Sequence, residues 1–260
     1  MSRIGFIGMG NMAQAIAAGF FQAGKVEKDQ VLAYAPHKDK LLENAERIGF
    51  VPIHDLIQLV VKSDILIMAC KPYQIEGVLA DAGAYMKGKA LISIAAGWTF
   101  ANYEKLLGAD VRIQCIMPNT PAMVGEGVIL FEEKNTLSAG ERELVLDLFS
   151  ALGLTEELPT GLMGIGGAVS GCGPAFMDLI LEAYADAAVK YGISRATAYK
   201  LISQTMLGSA KLQQVTGEHP GVLKDAVCSP NGTTIRGVDA LEHAGLRAAC
   251  IDSIDAVMNR

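Results

Sequence analysis

Three small residues at fixed spacing carry the first chemical signal. Gly8, Gly10 and Ala13 stand in Ile4-Gly5-Phe6-Ile7-Gly8-Met9-Gly10-Asn11-Met12-Ala13, a G-x-G-x-x-A run that follows an apolar stretch and opens a helical one. Gly8 allows a tight turn, Gly10 lets a pyrophosphate approach the backbone, and Ala13 permits close packing of helix on strand. The helix N-terminus adds the amides of Asn11 and Met12 and a positive dipole end. A bare glycine turn would look the same. The position at the first strand–helix junction of an alternating chain is what argues for a dinucleotide. At the end of the next strand, NAD would want a carboxylate for its ribose 2′-hydroxyl, but the chain offers Tyr34-Ala35-Pro36-His37-Lys38 and no acid before Asp39. His37 and Lys38 suit a 2′-phosphate instead, so the sequence favours NADP(H) and leaves NAD(H) open.

Further loops follow later apolar runs: Cys70-Lys71-Pro72, Ala95-Ala96-Gly97 and Met117-Pro118-Asn119-Thr120-Pro121. In an open α/β sheet ligands sit outside the carboxyl ends of strands, so these loops point at one crevice. Lys71, Pro72, Ala95, Ala96, Gly97, Met117 and Asn119 are therefore expected beside the cofactor, with the small residues at 95–97 admitting a flat nicotinamide. In the last hundred residues, Ser170-Gly171-Cys172-Gly173-Pro174 has a proline suited to a helix start, and Asp225–Ile235 places amides and hydroxyls at another helix N-terminus. The second spot suits a carboxylate without using a cation. Ordinary capping, with Ser229 as N-cap and Pro230 in the first turn, explains the same letters.

The elements that must hold these residues alternate through the first half. Apolar strands are expected at 3–7, 30–35, 65–69, 90–95 and 112–117, with helices at 11–23, 37–48, 55–62, 75–86 and 102–107. Continuous apolar runs alternating with helices predict a parallel sheet covered on both faces. Residues 127–132 read as an antiparallel edge strand, 138–152 as a helix with a Ser138/Glu141 capping box, and 155–158 as a last short strand. From Thr160 the chain is Ala/Leu/Met/Ile-rich, with helices at 174–191, 195–214, from 220, 234–243 and 246–258. The 174–191 helix is apolar except for a stripe of Asp178, Glu182, Asp186 and Lys190. That much apolar surface predicts a subunit interface. The expected plan is a domain at 1–159 and a helical one at 160–260.

Composition narrows the field. A chain that is 51% hydrophobic and 19% charged can bury a sizeable core and is not intrinsically disordered. A net charge of −6 without a basic patch argues against nucleic acid as a partner. The uncharged residues 158–177 match a membrane span in length but are broken by six glycines, so they read as buried protein and no membrane is expected. MSRIGFIG lacks the layout of a signal peptide, and a cytoplasmic location is expected. The five cysteines form no CxxC pair and read as small buried thiols; the four histidines lack ligand spacing, so no metal site is expected.

With these residues in view, the chain resembles the pyrroline-5-carboxylate reductase family. The matching pieces are I-G-F-I-G-M-G-N-M-A, A-C-K-P, S-I-A-A-G, M-P-N-T-P-A, S-G-C-G-P-A-F and V-C-S-P-N-G-T-T-I-R-G, in family order from residue 4 to about 242. The resemblance implies an N-terminal Rossmann doubly wound sheet, mainly parallel with antiparallel edge strands, and a C-terminal all-helical dimerisation domain. It further implies a homodimer, often built into larger rings, and hydride transfer to the imine carbon of 1-pyrroline-5-carboxylate to give L-proline. By the same resemblance Ser229, Gly232 and Thr233 hold the substrate carboxylate, and Thr234 bonds the ring nitrogen as the catalytic residue. Asn231 departs from the family's S-P-G-G-T-T at the first glycine. Asn tolerates positive φ, so the turn is expected to survive, while its side chain joins the substrate-binding set.

The same residues admit three other functions. A reductase of a six-membered piperideine carboxylate would fit a pocket altered at Asn231. A β-hydroxyacid dehydrogenase needs a lysine after the Gly171-x-Gly173 turn, where this chain has Met177 and Asp178. A catalytically silent NADP-binding regulator would have little reason to keep Gly232, Thr233 and Thr234.

Overall fold

The computed structural model describes residues 2–259. The chain divides into two compact units, the first running to Gly171 and the second beginning at Cys172. In the first unit the strands and helices alternate as β1 (Ile4–Ile7), α1 (Asn11–Gln22), β2 (Val31–Tyr34), α2 (Lys38–Ile48), β3 (Val51–Pro52), α3 (Leu56–Lys62), β4 (Ile65–Met68), α4 (Ile75–Ala82), β5 (Ala90–Ser93), α5 (Phe100–Leu107) and β6 (Arg112–Pro118). Then follow β7 (Gly127–Glu132), α6 (Ala139–Ser150), β8 (Gly153–Leu158) and α7 (Met163–Ser170).

The strands form one sheet in the order β3-β2-β1-β4-β5-β6-β7-β8. The first six run parallel; β7 pairs antiparallel with β6, and β8 pairs parallel with β7. The fully buried strands send alternate side chains to opposite faces. Phe6, Ile67 and Ile92 join Ile16 and Phe20 of α1, Leu41 of α2 and Phe149 of α6 on one face. Ile7, Leu66 and Leu91 join Leu59 of α3, Ile75 of α4 and Tyr103 of α5 on the other. Both faces are covered by helices, and the order 3-2-1-4-5-6 is that of a doubly wound dinucleotide-binding sheet.

One sequence expectation is corrected and two elements are new. Gly127–Glu132 is not the edge: β8 lies outside it, because the 153–158 run is long enough to pair along the whole of β7. The two-residue β3 gave no sequence signal, being short and containing Pro52, which an edge position tolerates. Residues 163–170 form α7 despite glycines at 164, 166 and 167. Gly166 and Gly167 bring the helix backbone close to its neighbours: a Cβ on Gly166 would meet the side-chain end of Leu158, and one on Gly167 that of Met117.

The second unit is helical throughout its described residues: α8 (Gly173–Lys190), α9 (Arg195–Thr216), α10 (Pro220–Ala226), α11 (Thr233–His243) and α12 (Leu246–Met258). Helices α8 and α9 pack together, each burying one small residue completely, Ala185 and Ala198. Asp178, Glu182, Asp186 and Lys190 form an exposed stripe. Thr160–Lys190 is long and apolar enough, by length and composition, to cross a membrane, and only 6% of its most apolar window is buried within the chain. The expectation that residues 158–177 are buried therefore holds within the single chain only for Met163 and Ala168 of α7; most of the stretch is part-buried or exposed. Among the cysteines only Cys115 is buried; Cys250 is exposed and the other three are intermediate.

Candidate active site

The pieces of the first unit's site converge because their strands are in register. Ile7 pairs with Tyr34 on one side and Met68 on the other, Met68 with Ser93, and Ser93 with Cys115. The loops after β1, β2, β4, β5 and β6 thus leave the sheet at the same edge. Gly8 turns immediately after β1 with φ of 100°, and its amide donates to Tyr34 O at 2.8 Å. A Cβ there would lie 2.7 Å from Cys70 N and 2.8 Å from Ala69 backbone atoms, so the first glycine is required by the fold itself.

Gly10 is different. It is the N-cap of α1 with φ −77° and ψ −177°, ordinary extended backbone, and a Cβ on it would meet nothing within 4 Å. The α1 N-terminus has no side-chain cap and no acidic residue in its first turn. The amides at Asn11 and Met12 face a clear approach, which fits a pyrophosphate. His37 is the N-cap of α2 without a side-chain cap bond, and His37 and Lys38 are both exposed in the loop after β2, the strand paired with β1. Lys71 and Pro72 are also exposed, in a 3-10 turn after β4. Burial pushes the Cys70 thiol up to about 11, leaving it protonated at neutral pH and a poor nucleophile.

The loop after β5 is a β-turn: Trp98 N donates to Ala95 O at 3.2 Å, with Gly97 at φ 79° in the third position. Ala96 and Gly97 form its exposed tip. The two remaining expected residues are engaged elsewhere through their side chains. Asn119 is buried, its Nδ2 donating to Ser170 O at 2.9 Å and its Oδ1 accepting from Val128 N at 2.9 Å. Met117 points its sulfur at α7, as the Gly167 contact shows. Asn119 ties the loop after β6 to β7 and to the end of α7. Sequence reasoning missed that role because its partners stand far off in the chain.

In the second unit, Ser229–Gly232 is a β-turn closed by Gly232 N donating to Ser229 O at 2.9 Å. Pro230 holds its second position and Asn231 its third, at φ 57°, the one positive-φ residue other than glycine among the described residues. Proline then a left-handed residue is the type II arrangement. Ordinary capping by Ser229 does not account for the stretch: Gly232 is the N-cap, and α11 starts at Thr233, one residue before the expected 234. The Pro-Asn-Gly turn places the helix start after Gly232 and not at Pro230. Asn231 Oδ1 accepts from Arg236 Nη2 at 3.0 Å, so its side chain is held by its own helix; Arg236 was not singled out from sequence. Thr233 and Thr234 are exposed in the uncapped first turn of α11, beside Ser229. This cluster offers amides and hydroxyls to a carboxylate and has no titrating base of its own. Among the described residues no group of three or more His, Cys, Asp or Glu is placed to hold a metal ion.

The sheet order and the glycine turn at the β1–α1 junction together define a Rossmann-type dinucleotide-binding protein. A family profile described as NADP oxidoreductase, coenzyme F420-dependent, matches residues 3–97, and one described as pyrroline-5-carboxylate reductase dimerisation matches residues 161–260. The pyrroline-5-carboxylate reductase of Treponema pallidum is 41% identical over 98% of this chain and 98% of its own. The structure of a pyrroline-5-carboxylate reductase from Coxiella burnetii superposes with a TM-score of 0.91 at 33% identity, covering 100% of this chain and 97% of that one. The Plasmodium falciparum pyrroline carboxylate reductase, solved with NADP bound, gives 0.89 at 31% identity over 98% and 95%. This chain belongs to the pyrroline-5-carboxylate reductase family.

Proposed function

We propose that this chain reduces 1-pyrroline-5-carboxylate to L-proline with NADPH. The full-length 41% identity to a reductase of that name carries the reading, and the uncapped turn before α11 agrees with it. Bound NADPH supplies the hydride that reaches the C5 carbon of the imine. The α1 amides and Gly10 hold the pyrophosphate, His37 and Lys38 favour the 2′-phosphate, and Lys71 and Pro72 flank the cofactor. Ala95–Gly97 presents a flat, small-residue surface to the nicotinamide, and Met117 and Asn119 shape the neighbouring loop, Asn119 through its two hydrogen bonds.

Ser229, Gly232 and Thr233 receive the substrate carboxylate, with Asn231 setting the turn. The imine is protonated to the iminium before hydride arrives, so the protein needs no strong acid. Thr234 Oγ1 accepts the iminium N–H and orients the ring; after reduction the nitrogen keeps that proton as a secondary amine. Catalysis on this reading rests on orientation and on dipoles aimed at the charge of the substrate. A homodimer covering the apolar faces of α8 and α9, assembled further into a ring, and a cytoplasmic location complete the proposal.

The test is NADPH oxidation by the purified chain with the five-membered imine, beside NADH and a six-membered piperideine carboxylate. Turnover on the five-membered ring, faster with NADPH than NADH, is expected. Turnover confined to the six-membered ring would overturn the substrate assignment.

A further inference from the structure

Beneath the turn after β5 lies a polar pair that the reaction as described does not use. Ser93 and Tyr103 are 1% and 0% exposed, and their hydroxyl oxygens are 2.7 Å apart. Ser93 Oγ also accepts from Ala95 N at 3.2 Å. The Tyr103 ring lies 4.9 Å from the Trp98 ring, tilted at 48°. Tyr103 therefore holds both ends of the Ala95–Trp98 turn, the first through the Ser93 hydroxyl and the last through its ring. Only the tip, Ala96-Gly97, is left exposed. Burial raises the Tyr103 hydroxyl far above its ordinary value, so it stays protonated and serves as a hydrogen-bond partner at every working pH. A buried polar pair costs stability unless it is satisfied, and an apolar pair would fill the same space more cheaply.

We propose that the Ser93–Tyr103 hydroxyl pair is a positioning device for the nicotinamide half of the cofactor, fixing the turn whose exposed tip supports that ring. This rests on the reading that the nicotinamide lies along Ala95–Gly97. Ser93 and Tyr103 touch neither cofactor nor substrate; they act through the turn. The device also carries its own reporter, since Trp98 is the single tryptophan of the chain and sits at the end of the turn.

The test uses the full chain and two ligands, NADPH and 2′,5′-ADP, the second sharing only the adenosine half. Trp98 emission and equilibrium titration are read for wild type, Tyr103→Phe, Ser93→Ala and the double variant. Loss of one hydrogen bond's worth of order is expected to weaken NADPH about three- to tenfold. Affinity for 2′,5′-ADP stays within about twofold, the double variant is no weaker than Ser93→Ala because the Tyr103 hydroxyl acts through Ser93, and KM for NADPH moves more than kcat. Retained 2′,5′-ADP binding shows that each variant is folded. Equal losses for both ligands, or no loss for NADPH, overturn the proposal.

Ala96→Leu separates the proposal from the reading beneath it. If bulk at the tip leaves NADPH affinity unchanged, the nicotinamide does not rest there and both fall. If Ala96→Leu weakens NADPH alone while Tyr103→Phe does nothing, only the positioning role falls.

Discussion

The two glycines of the first loop should respond to the same substitution in opposite ways. At Gly10 an alanine methyl enters open space on backbone with φ −77° and ψ −177° that any residue adopts. Folding stability should then hold or rise by about 0.4–1 kcal/mol, since alanine narrows the unfolded ensemble. That open space is where the pyrophosphate must approach. Pushing it off one amide forfeits a hydrogen bond to a charged group, about 1.5–3 kcal/mol, or roughly 10- to 150-fold in Kd. At Gly8 the φ of 100° and the 2.7 Å approach to Cys70 N make alanine both strained and overpacked. Left-handed backbone costs about 1–2 kcal/mol, and overpacking about 1–3 kcal/mol. Gly8→Ala should thus lower Tm by on the order of 10 °C. Thermal melts and NADPH fluorescence titrations of both variants are the assay. Gly10→Ala with wild-type NADPH affinity would refute the placement of the pyrophosphate, and Gly8→Ala with an unchanged Tm would refute the packing argument.

Other sites give sharper single outcomes. Replacing His37 and Lys38 together by alanine should raise KM for NADPH much more than KM for NADH; equal changes would remove them from 2′-phosphate recognition. Thr234→Ala should lower kcat/KM by about one to three orders of magnitude, as loss of an active-site hydrogen bond does, and unchanged kinetics would exclude it from the mechanism. Arg112 clasps Glu141 with Nε to Oε2 at 2.7 Å and Nη2 to Oε1 at 2.6 Å, and Ser138 N adds a bond at 2.9 Å. Chiefly through the Arg112 hydrogen bonds, Glu141 is held at about 2, below its ordinary value. A depressed carboxylate stabilises the fold fully above its unfolded value, near about 4.3, and loses that contribution as pH falls through about 2. After discounting for solvent screening of a part-exposed pair, Glu141→Gln should cost about 1–2 kcal/mol at pH 7. In denaturant melts the gap to wild type should close between about pH 5 and pH 2; a pH-independent gap would contradict the assignment.

What the residues revealed in advance was whatever is local and periodic. The runs that became β1, β4 and β5 are buried at every position and, apart from Ser93 at the end of β5, carry no polar side chain, because both their faces are covered, and the G-x-G-x-x-A spacing declares its turn directly. Departures arose where a distant partner, or a local backbone conformation that the letters leave open, decides the outcome. Asn119 reads as a crevice residue until its amide is seen bonded to Val128 and Ser170. The glycines of α7 argue against a helix by propensity, and the close approach of Gly166 to Leu158 and of Gly167 to Met117 is visible only in the fold. Ser229 looks like an N-cap because Ser-Pro is a frequent helix start, yet Asn231 in left-handed conformation turns the chain once more before α11 begins. The Ser93–Tyr103 pair left no mark in the sequence, since neither residue belongs to a chemical pattern.

The most direct measurement of the central claim follows the hydrogen itself. NADPH deuterated at the transferable C4 position is incubated with the chain and 1-pyrroline-5-carboxylate, and the product is read by mass spectrometry and NMR. L-Proline with a single deuterium at C5 is the predicted result. Proline without deuterium, or no proline while NADPH still binds, would contradict hydride transfer to the imine carbon by this protein.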